Sequence, residues 1–179
     1  EFCRKYQENK EKKKRFRCRM NSQGEQKKRV LIIHGPNMNL LGEREPEKYG
    51  TKSLDDVNSE IRSLAEKMNM EVDFYQSNHE GDIIDAIQKA GFSFDAVVIN
   101  PAGYTHTSVA IKDAISAVPV PVIEVHMTNI FSREDFRSSS VTAPACRGVI
   151  AGFGEDSYKL GLWAAALQMA GRESQDIII

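Results

Sequence analysis

Five short apolar runs alternate along the chain with segments in which apolar residues recur every three or four positions. The first, third and fourth runs are apolar almost throughout. Unbroken apolarity over such a length is typical of parallel strands covered on both faces, whereas a period of three to four residues is typical of helices. We therefore predict strands at residues 30–33, 71–76, 94–99, 120–125 and 148–151.

Helical periodicity fills the spaces between the predicted strands. Ser53 and Asp156 are suited to cap the N-termini of the first and last helices. Gly91 is expected to stop the second helix, and Pro119 closes the third. The predicted helices cover residues 54–68, 83–90, 109–118 and 156–170.

Strands that alternate with helices form parallel sheets through right-handed crossovers, so we expect a three-layer α/β sandwich. We predict a flavodoxin-like strand order, 2-1-3-4-5, in a five-stranded parallel sheet. In open sheets of this kind, ligands bind beyond the carboxyl ends of the strands, near the point where the strand order reverses. The loops after the first, third and fourth strands should therefore converge on one site.

Polar and titratable residues are concentrated in those three loops. The loops read HGPNMNLLGEREPEKYG at 34–50, NPAGYTHTS at 100–108 and EVHMTNIFSREDFR at 124–137. The turns at the opposite edge of the predicted sheet carry few groups of this kind. All the histidines of the chain lie at or just beyond the end of a predicted strand: His34, His79, His106 and His126.

The loop after the first strand, residues 35–53, is too long for a plain connector in a compact domain, and we expect it to act as a lid. It holds Arg44 and Tyr49. A guanidinium beside a phenol favours the phenolate, which makes Tyr49 usable as a base near neutral pH. On composition alone, the charged residues of this loop are also compatible with a solvated tip.

The loop after the third strand offers groups for holding a ligand. Asn100 is placed at the strand end to fix a substrate oxygen. Thr105 or Thr107 is expected to cap the next helix. His106 is open to two interpretations, a structural hydrogen-bonding group or a catalyst.

The fourth strand ends in a carboxylate and an imidazole. Glu124 and His126 are two residues apart, so they point to the same side of the strand, where the carboxylate can fix the tautomer of the imidazole. The backbone amides of Met127 and Thr128 would suit a substrate carboxylate. Arg137, or the arginine four residues before it, can clamp an anion.

The charge of the chain is uneven. Residues 1–29 contain 12 of the 24 Lys and Arg residues and 4 of the 25 acidic residues, which gives this segment a net charge of +8 and residues 30–179 a net charge of −9. The basic segment has no apolar period, which predicts a solvated leader, disordered or of non-native origin, ahead of a native start at Met20. We expect a single catalytic α/β domain at 30–179. The alternative is a non-enzymatic, flavodoxin-like binding module that uses the leader as a basic arm for nucleic acid.

Several other classes of function are disfavoured. No apolar run approaches the roughly eighteen residues of a membrane span, and three scattered cysteines favour the reducing cytoplasm over a disulfide framework. The nucleotide-binding patterns GxGxxG and GxxxxGK[ST] are absent, and the histidines lack the close pairing of a zinc site. We therefore expect a cytoplasmic protein with no metal, no cofactor and no nucleic-acid or membrane partner.

The three loop motifs, followed by GVIAGFG at 148–154, resemble the type II 3-dehydroquinate dehydratases in the same order and at the same spacing. The resemblance covers nearly all of residues 30–170, while the leader matches nothing. It implies the flavodoxin-like sandwich. It also implies the dehydration of 3-dehydroquinate to 3-dehydroshikimate in the shikimate pathway, by an anti elimination through an enolate, with no metal, cofactor or Schiff base.

The resemblance also implies a role for each catalytic position. Tyr49 matches the base that removes a proton alpha to the ketone, and Arg44 matches the arginine that lowers the pKa of that tyrosine. Asn37 corresponds to the asparagine that holds the enolate through a water. His126 matches the acid that protonates the departing hydroxyl, with Glu124 as its orienting partner.

Further positions match residues that bind substrate in the family: Asn100, His106, the amides of Met127 and Thr128, and Arg137. Asp113 matches a residue that family members reach across a subunit boundary, so the resemblance implies homo-oligomers, namely trimers that assemble into a dodecamer. The run at 138–141 departs from the family because it is smaller than the bulky stretch expected there, which leaves the packing of this segment open.

Overall fold

The structure is a computed structural model that describes residues 27–43, 51–132 and 139–175. Five strands form one all-parallel sheet in the order β2-β1-β3-β4-β5, as the sequence predicts. The strand ends differ from the predicted ends by no more than two residues. The strands are β1 Lys28–His34, β2 Met70–Gln76, β3 Ala96–Asn100, β4 Val122–His126 and β5 Gly148–Ala151.

The described residues form four α-helices, of which three connect successive strands and the fourth follows β5; short 3₁₀ turns follow several strand ends. The predicted cap of the first helix is confirmed, because the Ser53 hydroxyl accepts from the Asp56 N–H while the Asp56 carboxylate accepts from the Ser53 N–H. The helices are α1 Leu54–Lys67, α2 Glu80–Ser93, α3 Val109–Ala117 and α4 Asp156–Gln175; the 3₁₀ turns are Met38–Leu40, Ala102–His106, Ile130–Ser132 and Ala143–Ala145.

Three local predictions about helix ends are wrong. Gly91 does not stop α2, which continues to Ser93; a Cβ at Gly91 would lie 3.0 Å from Cγ1 of Val118, so this glycine permits close packing. Asp156 is the first residue of α4 and not its cap. Neither Thr105 nor Thr107 caps α3, because Ser108 accepts from the Ile111 N–H at 2.8 Å; the Thr105 hydroxyl is used at the site described below.

The core consists of two apolar layers, one on each face of the sheet. On β1, Val30 and Ile32 pack towards α1 and α4, while Leu31 and Ile33 pack towards α2 and α3. Burying each such aliphatic side chain contributes about 1.5–3 kcal/mol, which is why a strand buried on both faces is apolar at every position. Successive side chains of a strand point to opposite faces of the sheet, and this alternation also determines to which face each polar residue at a strand end points.

Helix α4 lies unusually close to the sheet at Gly161. A Cβ on this residue would be 2.7 Å from Cγ1 of Val125 and 2.9 Å from Cγ1 of Val98. The glycine therefore lets α4 seat directly on β3 and β4, and this places Tyr158, one helical turn earlier, beneath the carboxyl end of β3. Among the described residues, no helix is long and apolar enough to cross a membrane.

Candidate active site

A cavity of about 180 Å³ opens at the carboxyl edge of the sheet, where the loops after β1, β3 and β4 meet. This is the position expected for a ligand site in an open parallel sheet, at the reversal of strand order between β1 and β3. The structure brings six of the sequence-predicted site residues into its wall: Asn37, Asn100, His106, His126, Met127 and Thr128. Apolar side chains, among them Met38, Leu41 and Ile130, complete the wall.

The remaining predicted site residues lie elsewhere. Glu124 is behind His126 and does not reach the cavity surface. Asp113 is exposed on α3 and does not line the cavity. Arg44, Tyr49 and Arg137, together with most of the predicted lid, lie outside the described residues.

His126 and Glu124 form a buried pair at the end of β4. The His126 Nε2 is 2.7 Å from the Glu124 Oε1, and the two side chains are 5% and 0% exposed. Their separation of two residues on an extended strand puts them on the same face, as the sequence predicts. Since Nε2 is held by the carboxylate, Nδ1 is the ring nitrogen left to exchange a proton with a bound molecule.

Hydroxyl groups surround the Glu124 carboxylate. The Thr105 hydroxyl donates to Oε1 at 2.6 Å and the Thr142 hydroxyl donates to Oε2 at 2.6 Å. The Ser140 hydroxyl lies 3.2 Å from Oε1. Burial raises the pKa of this carboxyl, but the hydrogen bonds from His126, Thr105 and Thr142 outweigh it, and the pKa falls below its usual range. Glu124 is therefore a carboxylate at neutral pH and holds His126 with Nε2 as a donor.

The segment after residue 138 closes this part of the site. The His106 Nδ1 donates to the Ser139 carbonyl at 2.7 Å, and the Val141 N–H donates to the Thr105 carbonyl at 2.7 Å. These two contacts to backbone atoms hold residues 139–141 against the loop after β3. The first contact makes Nδ1 of His106 a donor, so Nε2 is the nitrogen that accepts whenever the ring carries a single proton.

Asn37 owes its position to a residue that sequence reasoning missed. Asn37 adopts a left-handed backbone conformation with φ of 66°, and its N–H donates to the Asn78 Oδ1 at 2.8 Å. The Tyr104 hydroxyl donates to the Asn78 carbonyl at 3.0 Å. Asn78 thus ties the loop after β1 to the loop after β3. The only signal for this role is the presence of an asparagine just beyond β2, and nothing in the sequence indicates that it bonds to Asn37 and Tyr104.

Two of the histidines found at strand ends do not line the cavity. His79 is exposed at the start of α2. His34 is fully buried between Tyr158 and Asn58. Burial lowers the pKa of His34 to about 4, although the hydrogen bond with Asn58 opposes the shift. His34 is therefore a neutral group of the interior at physiological pH.

The chain is similar to proteins of known family over nearly all of this architecture. The family model for dehydroquinase class II matches residues 28–166. The 3-dehydroquinate dehydratase of Thermoanaerobacter pseudethanolicus is 58% identical over 140 residues, which cover 78% of this chain and 95% of the relative.

Solved structures give the same result. The crystal structure of the type II dehydroquinase from Butyrivibrio crossotus has a TM-score of 0.77 and 44% identity, and the match covers 78% of this chain and 98% of that one. The type II dehydroquinase from Propionibacterium acnes has a TM-score of 0.75 and 36% identity, with 83% and 99% of the chains covered. By its loop motifs, its sheet and these matches, the chain belongs to the type II dehydroquinase family.

Proposed function

We propose that this chain dehydrates 3-dehydroquinate to 3-dehydroshikimate, the activity for which its relatives are named. The observation that carries the proposal is the His126–Glu124 pair in the wall of a cavity that also presents Asn37 and Asn100. The chain belongs to a family of enzymes, and no observation favours the alternative of a non-enzymatic binding module.

The elimination requires a base, an acid and a group that stabilises negative charge on the ketone oxygen. We assign the base to Tyr49, whose phenolate takes the proton alpha to the ketone and leaves an enolate. Arg44 favours that phenolate, and Asn37 stabilises the enolate oxygen through a water. The enolate then collapses to the conjugated ketone while the beta carbon–oxygen bond breaks.

His126 supplies the proton that this last step needs. With Nε2 held by Glu124, an imidazolium carries its second proton on Nδ1 and delivers it to the departing hydroxyl, which leaves as water. The ionised Glu124 stabilises the imidazolium before the transfer and orients the neutral ring after it. The step is the loss of one water: Tyr49 takes one proton from carbon, and the departing hydroxide receives one proton from His126. The substrate is neither oxidised nor reduced overall.

The remaining cavity residues are assigned to substrate binding. Asn100 and His106 present polar groups to substrate oxygens, and His106 is preset as an acceptor by its bond to Ser139. The backbone amides of Met127 and Thr128 are assigned to the substrate carboxylate, together with Arg137.

We further propose that copies of the chain assemble into trimers and that the trimers form a dodecamer, with Asp113 reaching the cavity of a neighbouring copy. An exposed apolar surface beside the edge strand β5 supports burial against another copy, because large apolar patches on soluble proteins mark contact sites. It surrounds a groove of about 650 Å³ and comprises Phe131, Val149, Phe153, Leu160, Trp163 and Leu167. We assign the enzyme to the cytoplasm, with a basic leader ahead of one catalytic domain; Lys28 and Arg29, which the sequence placed in the leader, belong to β1, so the leader ends before residue 28.

A turnover assay on protein of measured mass tests these proposals together. Dehydroquinate incubated with the protein should develop the ultraviolet absorbance of a conjugated enone. The rate should be unaffected by EDTA, by borohydride treatment in the presence of substrate, and by deletion of residues 1–26. Absence of turnover would overturn the assigned reaction, loss of turnover with EDTA would overturn the metal-free route, and a monomeric mass would overturn the assembly.

Replacement of Glu124 by Gln should lower kcat roughly ten- to a hundredfold, because a hydrogen bond to a charged group contributes about 1.5–3 kcal/mol and each 1.4 kcal/mol is tenfold in rate. In the wild type the Thr105 and Thr142 hydroxyls donate to the Glu124 carboxylate. The glutamine amide would place an N–H donor opposite one of these donors, so the melting temperature should fall. Steady-state kinetics and thermal unfolding check both effects. Glu155→Gln, at a half-exposed ion pair with Lys52 that does not line the cavity, is the matched control and should change neither kcat nor the melting temperature much.

A further inference from the structure

A chain of hydrogen bonds runs through the interior from α1 to the wall of the cavity. His34 Nε2 is 2.8 Å from the Asn58 Oδ1, and His34 Nδ1 is 2.9 Å from the Tyr158 hydroxyl. The Asn100 Nδ2 lies 3.1 Å from the same hydroxyl. His34 and Tyr158 are 0% exposed, so neither of these two side chains can exchange its partner for water.

The direction of every proton in this chain is determined. His34 is neutral, so it has one donor and one acceptor nitrogen, and the carbonyl oxygen of Asn58 requires the donor to be Nε2. Nδ1 must then accept from the Tyr158 O–H. Burial raises the pKa of the Tyr158 phenol, with only partial opposition from its hydrogen bond to Asn100, so the phenol keeps its proton. The Tyr158 oxygen is left to accept, and the Asn100 Nδ2 donates to it.

The Asn100 side chain is thereby held at both ends of its amide. Its Oδ1 accepts from the Ala102 N–H at 3.0 Å, and one Nδ2–H donates to Tyr158. A flipped amide would set Nδ2 against the Ala102 N–H and would lose the donor to Tyr158. The second Nδ2–H faces the Met38 sulfur at 3.6 Å, a weak acceptor that lines the cavity.

From this arrangement we infer that His34 and Tyr158 are positioning residues that fix the Asn100 amide as a hydrogen-bond donor to substrate in the cavity. The inference rests on the proposed function, since it concerns how Asn100 meets dehydroquinate. A substrate oxygen is a stronger acceptor than the Met38 sulfur and takes the second Nδ2–H. Tyr158 and His34 do not touch the substrate; they act through Asn100.

The experiment is a double-mutant cycle with Tyr158→Phe and Asn100→Ala, assayed with dehydroquinate. Tyr158→Phe removes only the hydroxyl, so the Asn100 amide is free to turn away from the substrate. We expect KM to rise about tenfold while kcat stays within about twofold, because the contact is made equally in the bound and transition states. In the Asn100→Ala background, Tyr158→Phe should change KM less than about twofold, since residues that act as one unit are not additive.

Controls separate positioning from a purely structural role. Tyr75→Phe removes a hydroxyl packed on the opposite face of the sheet and should leave KM unchanged. Should Tyr158→Phe not fold, His34→Leu removes the acceptor at the other end of the chain and should raise KM in the same Asn100-dependent way.

Three outcomes would count against the assignments, and they are distinguishable. An unchanged KM in Tyr158→Phe would overturn the inference. So would an equal rise in KM with and without Asn100, because the hydroxyl would then act by some other path. Absence of turnover by the wild type would instead overturn the proposed function, and the inference with it.

Discussion

His126→Gln is expected to lower kcat for dehydroquinate by roughly 10²- to 10⁴-fold, the usual contribution of a positioned general acid. Glutamine keeps a polar side chain at the end of β4 but cannot carry a proton to the departing hydroxyl. KM should change much less than kcat, because the lost interaction is made as the carbon–oxygen bond breaks. The fold should tolerate the change, since the ring sits in the cavity wall and not in either apolar layer.

Steady-state kinetics over a range of pH checks this expectation. His79→Gln is the matched control, because His79 also follows a strand end but is exposed and does not line the cavity. A variant of His126 with more than about a tenth of wild-type kcat would assign the acid to another group.

Tyr49→Phe should have an effect of similar size on kcat, roughly 10²- to 10⁴-fold, because it deletes the base and nothing else. Tyr49 lies outside the described residues, so this expectation rests on the match of the loop motif to the family. Phenylalanine retains the ring, and both folding and substrate binding should be nearly normal. Kinetics and calorimetric titration with dehydroquinate check the two parts separately.

The same loop offers no second tyrosine to compensate. Tyr75→Phe again serves as control, since its hydroxyl is on the far side of the sheet from α4. Near-normal turnover by Tyr49→Phe would move the role of base to a different residue. Normal kcat with a large rise in KM would assign Tyr49 to binding.

The fold was predictable because the two periodicities differ sharply in this chain. Strands buried on both faces must be apolar throughout, and the helices between them must show a stripe at three- to four-residue spacing. Those constraints act on neighbouring residues, so they can be read locally. The position of the cavity followed as well, because parallel strands bring their carboxyl ends to one edge. The pairing of Glu124 with His126 was predictable for the same local reason, the two-residue repeat of a strand.

What could not be predicted depends on residues far apart along the chain. The hydroxyls of Thr105 and Thr142 meet on Glu124 only because the loops after β3 and β4 fold against each other. The sequence favoured Thr105 or Thr107 as a helix cap, which a hydroxyl also suits, and composition cannot decide between a cap and a buried partner. His34 looked like a member of the polar rim, yet α4 covers it. Gly91 carried a stop signal that packing against Val118 overrode.

The close packing of α4 on the sheet couples the affinity for substrate to the packing of the core in this protein. Gly161 leaves no clearance for even a methyl group above Val98 and Val125, so a larger residue must push α4 away from the sheet unless the two valine side chains move aside. Tyr158 lies on the same helix and would move outward with it, so its hydroxyl would withdraw from the amide of Asn100. A substitution where α4 packs on the sheet would thus weaken substrate binding, although it lies away from every atom that the substrate contacts.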